Sequence, residues 1–316
     1  MINNDSAPAS VSFTFSGEGK ETIHAMKWLP SDAPPKAVLI INHGMAEHIA
    51  RYDDFARFMA EKGFAVYGED HRGHGKTAGS EENCGFFADE KGWMKVIGDI
   101  RALYLLAVEE QKNLPVYFFG HSMGSFLTRH YLSLYGNDLS GVILSGTGSH
   151  PGLLLAAAKG IAAVESLFRG RKHRSKVLDT MSFGSFNKPF QNEFPEGFGW
   201  LSRDREQVKK YLDDPYCGFI CTSGMFGDLF SGLQIINNPD CFRSTPSDLP
   251  MLIYSGTADP VGGTQGKGVQ QVHDSYKRAG IKNLTLTLKK DFRHECLNEE
   301  GREEVFNDIF EWLSAV

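Results

Sequence analysis

Gly120-His121-Ser122-Met123-Gly124 is the segment of this chain with the clearest chemical meaning. A serine flanked at two positions on either side by glycine suits a strand that turns abruptly into a helix. Such a turn exposes the hydroxyl, and the helix behind it favours negative charge developing there. Alone the pattern is weak, since a serine N-cap in a tight turn looks the same. Its surroundings favour a nucleophile: Val116–Phe119 is an apolar strand before it, and Ser125–Tyr135 has helical periodicity after it.

A serine hydroxyl needs a general base, itself oriented by a carboxylate. On a strand–turn–helix scaffold the acid and then the histidine are expected later in the chain, each just past a strand end. Met251–Tyr254 leads into the turn Ser255–Pro260 and so places Asp259; Leu284–Leu288 leads to Phe292-Arg293-His294-Glu295 and so places His294. Asp291 shares the loop of His294 and has no strand end of its own. His273 falls inside a predicted helix, and the ring of His121 is expected to point away. An anionic intermediate also needs N–H donors. The loop His43–His48 after the strand Ala37–Asn42 is expected to supply the Met45 amide, paired with that of Met123. His43 and His48 lack the i, i+4 spacing of a helical zinc pair, and no third ligand accompanies them, so no metal and no cofactor is expected. Asp70–Gly75, with two histidines and an acid, is expected to brace the loops around the site.

These residues require a sheet that aims several loops at one place. Val11–Phe15 and Thr22–Leu29 read as opening antiparallel strands, followed by buried strands at Ala37–Asn42, Phe64–Tyr67, Val116–Phe119, Gly141–Leu144, Met251–Tyr254 and Leu284–Leu288. Helices are predicted at Arg51–Glu61, Gly92–Gln111, Ser122–Tyr135, Gly266–Ala279 and Glu299–Leu313. This alternation implies an α/β fold with a mostly parallel sheet covered on both faces. Between Gly146 and Leu249 about 100 residues intervene, far beyond an ordinary connection. Residues 147–248 therefore read as a mainly helical cap, inserted between the two parts of a core formed by 1–146 and 249–316. Leu154, Ala157, Ile161, Val164 and Phe168 follow helical spacing in Gly152–Phe168, and Asp204–Leu212 reads as a second helix. The first of these stripes fits ordinary core, an acyl channel or contact with a membrane surface. The basic run Arg169–Lys176 reads as a solvated loop or a patch for anionic head groups.

Composition narrows the class further. The chain has 316 residues, 41% hydrophobic and 23% charged, too apolar for disorder. A net charge of −6 argues against a nucleic-acid partner, whose phosphates call for a basic surface. Five scattered cysteines without a C-x-x-C pair, and a polar Met1–Ser10 without an apolar h-region, point to a cytoplasmic protein with reduced thiols.

Taken together, His43–His48 with Arg51-Tyr52, Asp70–Gly75, Gly120–Gly124, Gly256–Asp259 and His294 resemble the monoacylglycerol lipase and lysophospholipase group of α/β-hydrolases, related to the serine aminopeptidases. Phe198–Asp204 and Asp213–Tyr216 are similar to the cap of bacterial lysophospholipases. The resemblance implies an α/β-hydrolase fold with an eight-stranded sheet, a triad of Ser122, Asp259 and His294, and oxyanion amides at Met45 and Met123. It also implies cleavage of a small acyl ester, a monoacylglycerol or lysophospholipid, through an acyl-enzyme. The cap is longer than in compact monoacylglycerol lipases, and it shapes the substrate pocket. An aminopeptidase or amidase remains as an alternative, and would need cap acids such as Glu165, Glu193, Glu196 and Asp228 to converge on a substrate ammonium. A non-catalytic ligand receptor of the same fold is the other. A histidine base implies activity that falls below about pH 6.5.

Overall fold

The computed structural model describes residues 8–150 and 152–316. Met1–Ala7, most of the segment read as lacking a leader, and Pro151 lie outside the described residues. Eight strands form one sheet: β1 (Ser10–Ser16), β2 (Thr22–Trp28), β3 (Ala37–Asn42), β4 (Phe64–Glu69), β5 (Val116–His121), β6 (Gly141–Ser145), β7 (Met251–Gly256) and β8 (Leu284–Lys289). Their order is β1-β2-β4-β3-β5-β6-β7-β8. β1 and β2 are antiparallel to their neighbours, and the pairs from β4 through β8 are parallel. This is the mostly parallel, eight-stranded architecture the sequence implies.

Every residue of β3 to β7 is buried, which is why those strands read as continuous apolar runs. One face carries α1 (Asp53–Glu61) and, from the far end of the chain, Arg302–Ala315. The opposite face carries α2 (Gly92–Glu110), α3 (Met123–Tyr135) and the helix Lys267–Ala279. Register brings Asn42 beside Gly120 and His121 beside Ser145, so the carboxyl ends of β3, β5 and β6 finish level. The loops leaving that edge supply the candidate site.

Among the described residues five α-helices lie between β6 and β7: α4 (Gly152–Arg169), α5 (Lys176–Phe183), α6 (Arg205–Asp213), α7 (Ser223–Ile236) and α8 (Pro239–Arg243). In chain order the two terminal helices are then α9 (Lys267–Ala279) and α10 (Arg302–Ala315). Leu155, Ala158 and Ala162 of α4 and Met225, Phe226, Leu229 and Leu233 of α7 join the same apolar cluster as the sheet. The face of α4 that packs is thus offset from the stripe read in the sequence. Leu154, Val164 and Phe168 of that stripe are exposed, together with Leu153 and Leu167. In the basic run Arg169, Lys172 and Lys176 are exposed, as in a solvated loop, while two arginines are anchored. Arg171 pairs with Asp228, and Arg174 donates to the carbonyls of Ile220, Glu81 and Glu82, fastening the segment to the core.

Candidate active site

Ser122 lies between β5 and α3 with φ 51° and ψ −119°, a conformation costly for a residue with a side chain. The two glycines permit this tight turn. A Cβ on Gly120 would stand 2.7 Å from the Gly124 carbonyl oxygen, and one on Gly124 would stand 2.0 Å from the carbonyl oxygen of Asn42. The first turn of α3 leaves its N–H groups without intrahelical acceptors, so the Met123 amide is free to face an anion. Met45 lines the cavity around Ser122 from the loop after β3. A Cβ on Gly44 would stand 3.3 Å from the Ser122 Cβ, which shows how closely that backbone approaches.

Asp259 and His294 come together from the loops after β7 and β8. His294 Nδ1 lies 3.0 Å from Asp259 Oδ1, and both side chains are buried. Asp259 also accepts from the Val261 N–H at 2.8 Å and the Ser255 hydroxyl at 3.2 Å. Burial alone would raise its pKa, but the His294 ring, the Val261 N–H and His121 hold the carboxyl below its ordinary value. Burial would lower the pKa of His294; Asp259, then Glu295 and Glu47, raise it above the ordinary histidine value. Ser122 and His294 line one cavity. Asp291 is exposed and His273 contacts Asp274, and neither lines this cavity.

The His121 ring does not point away as the sequence reading expected. It lies against His294 with centroids 4.6 Å apart, because the last residue of β5 is turned under the histidine loop. Four contributors, Trp200, Arg51, Glu47 and Glu295, carry no individual role in the sequence reading. The Trp200 ring lies tilted against His294 with centroids 5.0 Å apart, and its carbonyl accepts the His294 backbone N–H. Arg51 grips Glu295 through two bonds of 2.7 Å and Glu47 through one of 2.6 Å. Glu47 in turn accepts from the Gly44 N–H at 2.6 Å, so one guanidinium ties the loop after β3 to the histidine loop. The adjacency of Glu295 to His294 was the available signal; nothing local marks Trp200.

Asp70 braces neighbouring loops through the Ile49 and Lys76 N–H groups and His24. His43 is occupied by backbone, with Nδ1 against the Gly44 carbonyl and Nε2 accepting the His71 N–H. Among the described residues, donor atoms of His48, Asp214 and Cys217 lie within 4.8 Å of one another, although His48 Nε2 already meets Asp214 at 2.8 Å.

Two compartments meet at Ser122, Met45 and Phe183. One, of about 280 Å³, contains His294 and is lined by Glu47, Asp179, Asn187, Trp200 and Glu295 among others. The other, of about 370 Å³, is lined by Phe126 of α3, Leu155 and Ala158 of α4, and Leu229, Phe230 and Leu233 of α7. Among the described residues no acid lines this second compartment. Glu165, Glu193 and Asp228 are engaged by Ser175, Arg293 and Arg171 instead, and Glu196 lines neither compartment.

The family model described as serine aminopeptidase, S33 matches residues 33–301. The chain is 26% identical over 308 residues to a monoacylglycerol lipase of Mycolicibacterium smegmatis, covering 95% of each. It is 27% identical over 291 residues to the monoglyceride lipase of Rattus norvegicus, covering 91% of this chain and 85% of that one. Among solved structures, a thermostable carboxyl esterase from Bacillus coagulans superposes with a TM-score of 0.87 at 27% identity, covering 98% of this chain and 99% of that one.

Proposed function

The chain belongs to the serine aminopeptidase S33 family of α/β-hydrolases, and from that premise we propose that it is a serine esterase acting on monoacylglycerols. The observation that carries this reading is the meeting of two unlike compartments at Ser122. His294 takes the proton of Ser122 as its oxygen attacks the ester carbonyl, and the Met45 and Met123 amides hold the oxyanion. His294 then protonates the departing alcohol, and water repeats the sequence on the acyl-enzyme to release the acid. The general acid must reach the leaving oxygen, so the alcohol belongs in the compartment that contains His294. The acyl chain then occupies the apolar compartment beneath α4 and α7.

That assignment separates the candidate substrates. The alcohol compartment offers the acceptors Asp179 and Asn187, which suit glycerol hydroxyls. Among the described residues no lysine or arginine lines it, so the phosphate of a lysophospholipid would meet acids and no cation. An aminopeptidase holds its substrate ammonium beside the acyl carbon, where this chain offers no acid. No described helix is long and apolar enough to cross a membrane. The outward apolar row on α4 serves instead to rest the cap on a lipid surface, from which a single-chain ester enters.

A fluorophosphonate probe should label the protein, and Ser122→Ala should abolish labelling. Wild-type protein that stays unlabelled would favour a non-catalytic receptor. Turnover of 1-monooleoylglycerol is expected to exceed that of 1-oleoyl-lysophosphatidylcholine by at least tenfold; the reverse order would overturn the substrate reading.

A further inference from the structure

The compartment assigned to the alcohol has an electrostatic character that glycerol does not require. Glu47, Asp179 and Glu295 line it, and Arg51 is held between Glu47 and Glu295. Asp179, half-buried on α5, has among the described residues neither a cation nor a hydrogen-bond donor at its carboxylate. Burial raises its pKa, with no partner opposing the shift. Asn187 presents a second free acceptor: its Nδ2 donates to the Phe194 carbonyl at 3.0 Å, while its buried Oδ1 has no partner. Much of the remaining wall is aromatic, with Phe183, Phe198, Trp200 and Phe219, while the Tyr211 ring carries Arg51 over its face at 4.8 Å. Phe183 and Trp200 stack at 6.2 Å, and Phe198 lies 5.1 Å from Tyr211.

Aromatic faces combined with an uncompensated carboxylate are the surroundings that recognise an alkylammonium group. Enclosure by low-dielectric rings strengthens the attraction of a carboxylate that has no counter-ion. We infer that this compartment accepts alcohols bearing a cationic nitrogen, so that the enzyme also hydrolyses acyl esters of the choline type. The inference rests on the serine-esterase reading and on the placement of the alcohol beside His294. The chemistry is unchanged. The Ser122 oxygen bonds to the acyl carbon, and the bond from that carbon to the alcohol oxygen breaks. The alcohol oxygen takes the proton that His294 drew from Ser122. Water then cleaves the acyl–serine bond, leaving the carboxylic acid and free Ser122.

The test pairs butyrylcholine with 3,3-dimethylbutyl butyrate, its neutral isostere, in which carbon replaces nitrogen. Wild-type kcat/KM is expected to favour the cation by about tenfold. In Asp179→Asn the ratio of the two values should fall toward one. Because the ratio is taken within a single protein sample, partial misfolding does not imitate this result. A measurement on wild-type protein alone provides a second arm: tetramethylammonium should inhibit p-nitrophenyl butyrate hydrolysis competitively at concentrations where tert-butanol does not. A wild-type ratio of one or less, or a ratio unmoved by Asp179→Asn, overturns the proposal. So does failure of both esters while p-nitrophenyl butyrate is cleaved, an outcome that leaves the esterase reading standing. Failure of p-nitrophenyl butyrate as well would sink both.

Discussion

Two touching buried histidines are shifted in opposite directions. Burial lowers the pKa of His121 to about 3, and the neighbouring His294 adds to that shift. For His294 the burial penalty is outweighed by Asp259, Glu295 and Glu47, and its pKa ends above 6.5. A histidine base must be neutral to act, so the acid limb of kcat/KM should fall at a higher pH than a free histidine would give. Glu295→Gln removes one of the raising charges and should move the midpoint of that limb toward lower pH. A residue acting only as packing would change the height of the profile and leave its midpoint in place. Asp259→Asn should lower kcat on the order of 10⁴-fold, because the ring loses the partner that fixes its tautomer. Arg51→Met would strand Glu47 and Glu295 as buried acids without a cation, at a cost of about 3 kcal/mol or more in unfolding free energy. Urea denaturation would measure it; a loss under 1 kcal/mol would show that the guanidinium is not what joins the two loops.

The helices differ in how far their sequences announce them. α3 follows an apolar strand through a recognisable turn, and its placement was legible from Gly120 to Tyr135. α7 was not legible, for two physical reasons. Gly224, Gly227 and Gly232 lower its helix propensity. It is also apolar almost all round, because α4 covers one side and α2 and α3 the other, so no periodic stripe remains to be read. Gly232 shows why the glycine is kept: a Cβ there would stand 2.2 Å from the Trp93 ring. α4 was legible as a helix but not in orientation, since it has apolar residues on both faces and only neighbours in space decide which face packs. The candidate triad was readable because each member follows a strand end. Asp179, Phe183 and Trp200 were not, because the long segment between β6 and β7 carries no such landmark. Leu153, Leu167 and Phe168 are 87%, 78% and 81% exposed and form the outward face of α4. Replacing all three by serine should weaken partition onto phosphatidylcholine vesicles at least tenfold, given about 1.5 kcal/mol or more for each such side chain buried. Partition unchanged in a co-sedimentation assay would remove the lipid surface from the account.

At the scale of the molecule, the buried shell behind the candidate oxyanion loop makes stability depend on pH. His43, His71 and His74 pack together, with His43 4.1 Å from His71 and 5.2 Å from His74. Burial holds all three below the ordinary histidine value, to about 3 for His71 and about 4 for His74; His71 and His74 add to the shift of His43, His74 to that of His71, and His48 to that of His74. His121 belongs to the same class. In the folded protein these rings remain neutral, while in the unfolded chain each takes a proton as pH falls through 6.5. The unfolded state therefore binds more protons between pH 6.5 and about 4, so stability falls with pH across that window. Each fully titrating ring contributes up to about 1.4 kcal/mol per pH unit. Asp259, with its lowered pKa, loses its contribution only at lower pH, as the folded carboxylate begins to protonate. His74 lies near Phe87 at 6.0 Å and Phe219 at 5.3 Å, and its Nε2 has no partner. His74→Phe should accordingly fold and lose one proton from the linkage. Urea midpoints measured from pH 7 to 4.5 should drop steeply in the wild type and less steeply in His74→Phe. Parallel curves for the two proteins would show that this ring does not titrate on unfolding, and that acid sensitivity arises elsewhere.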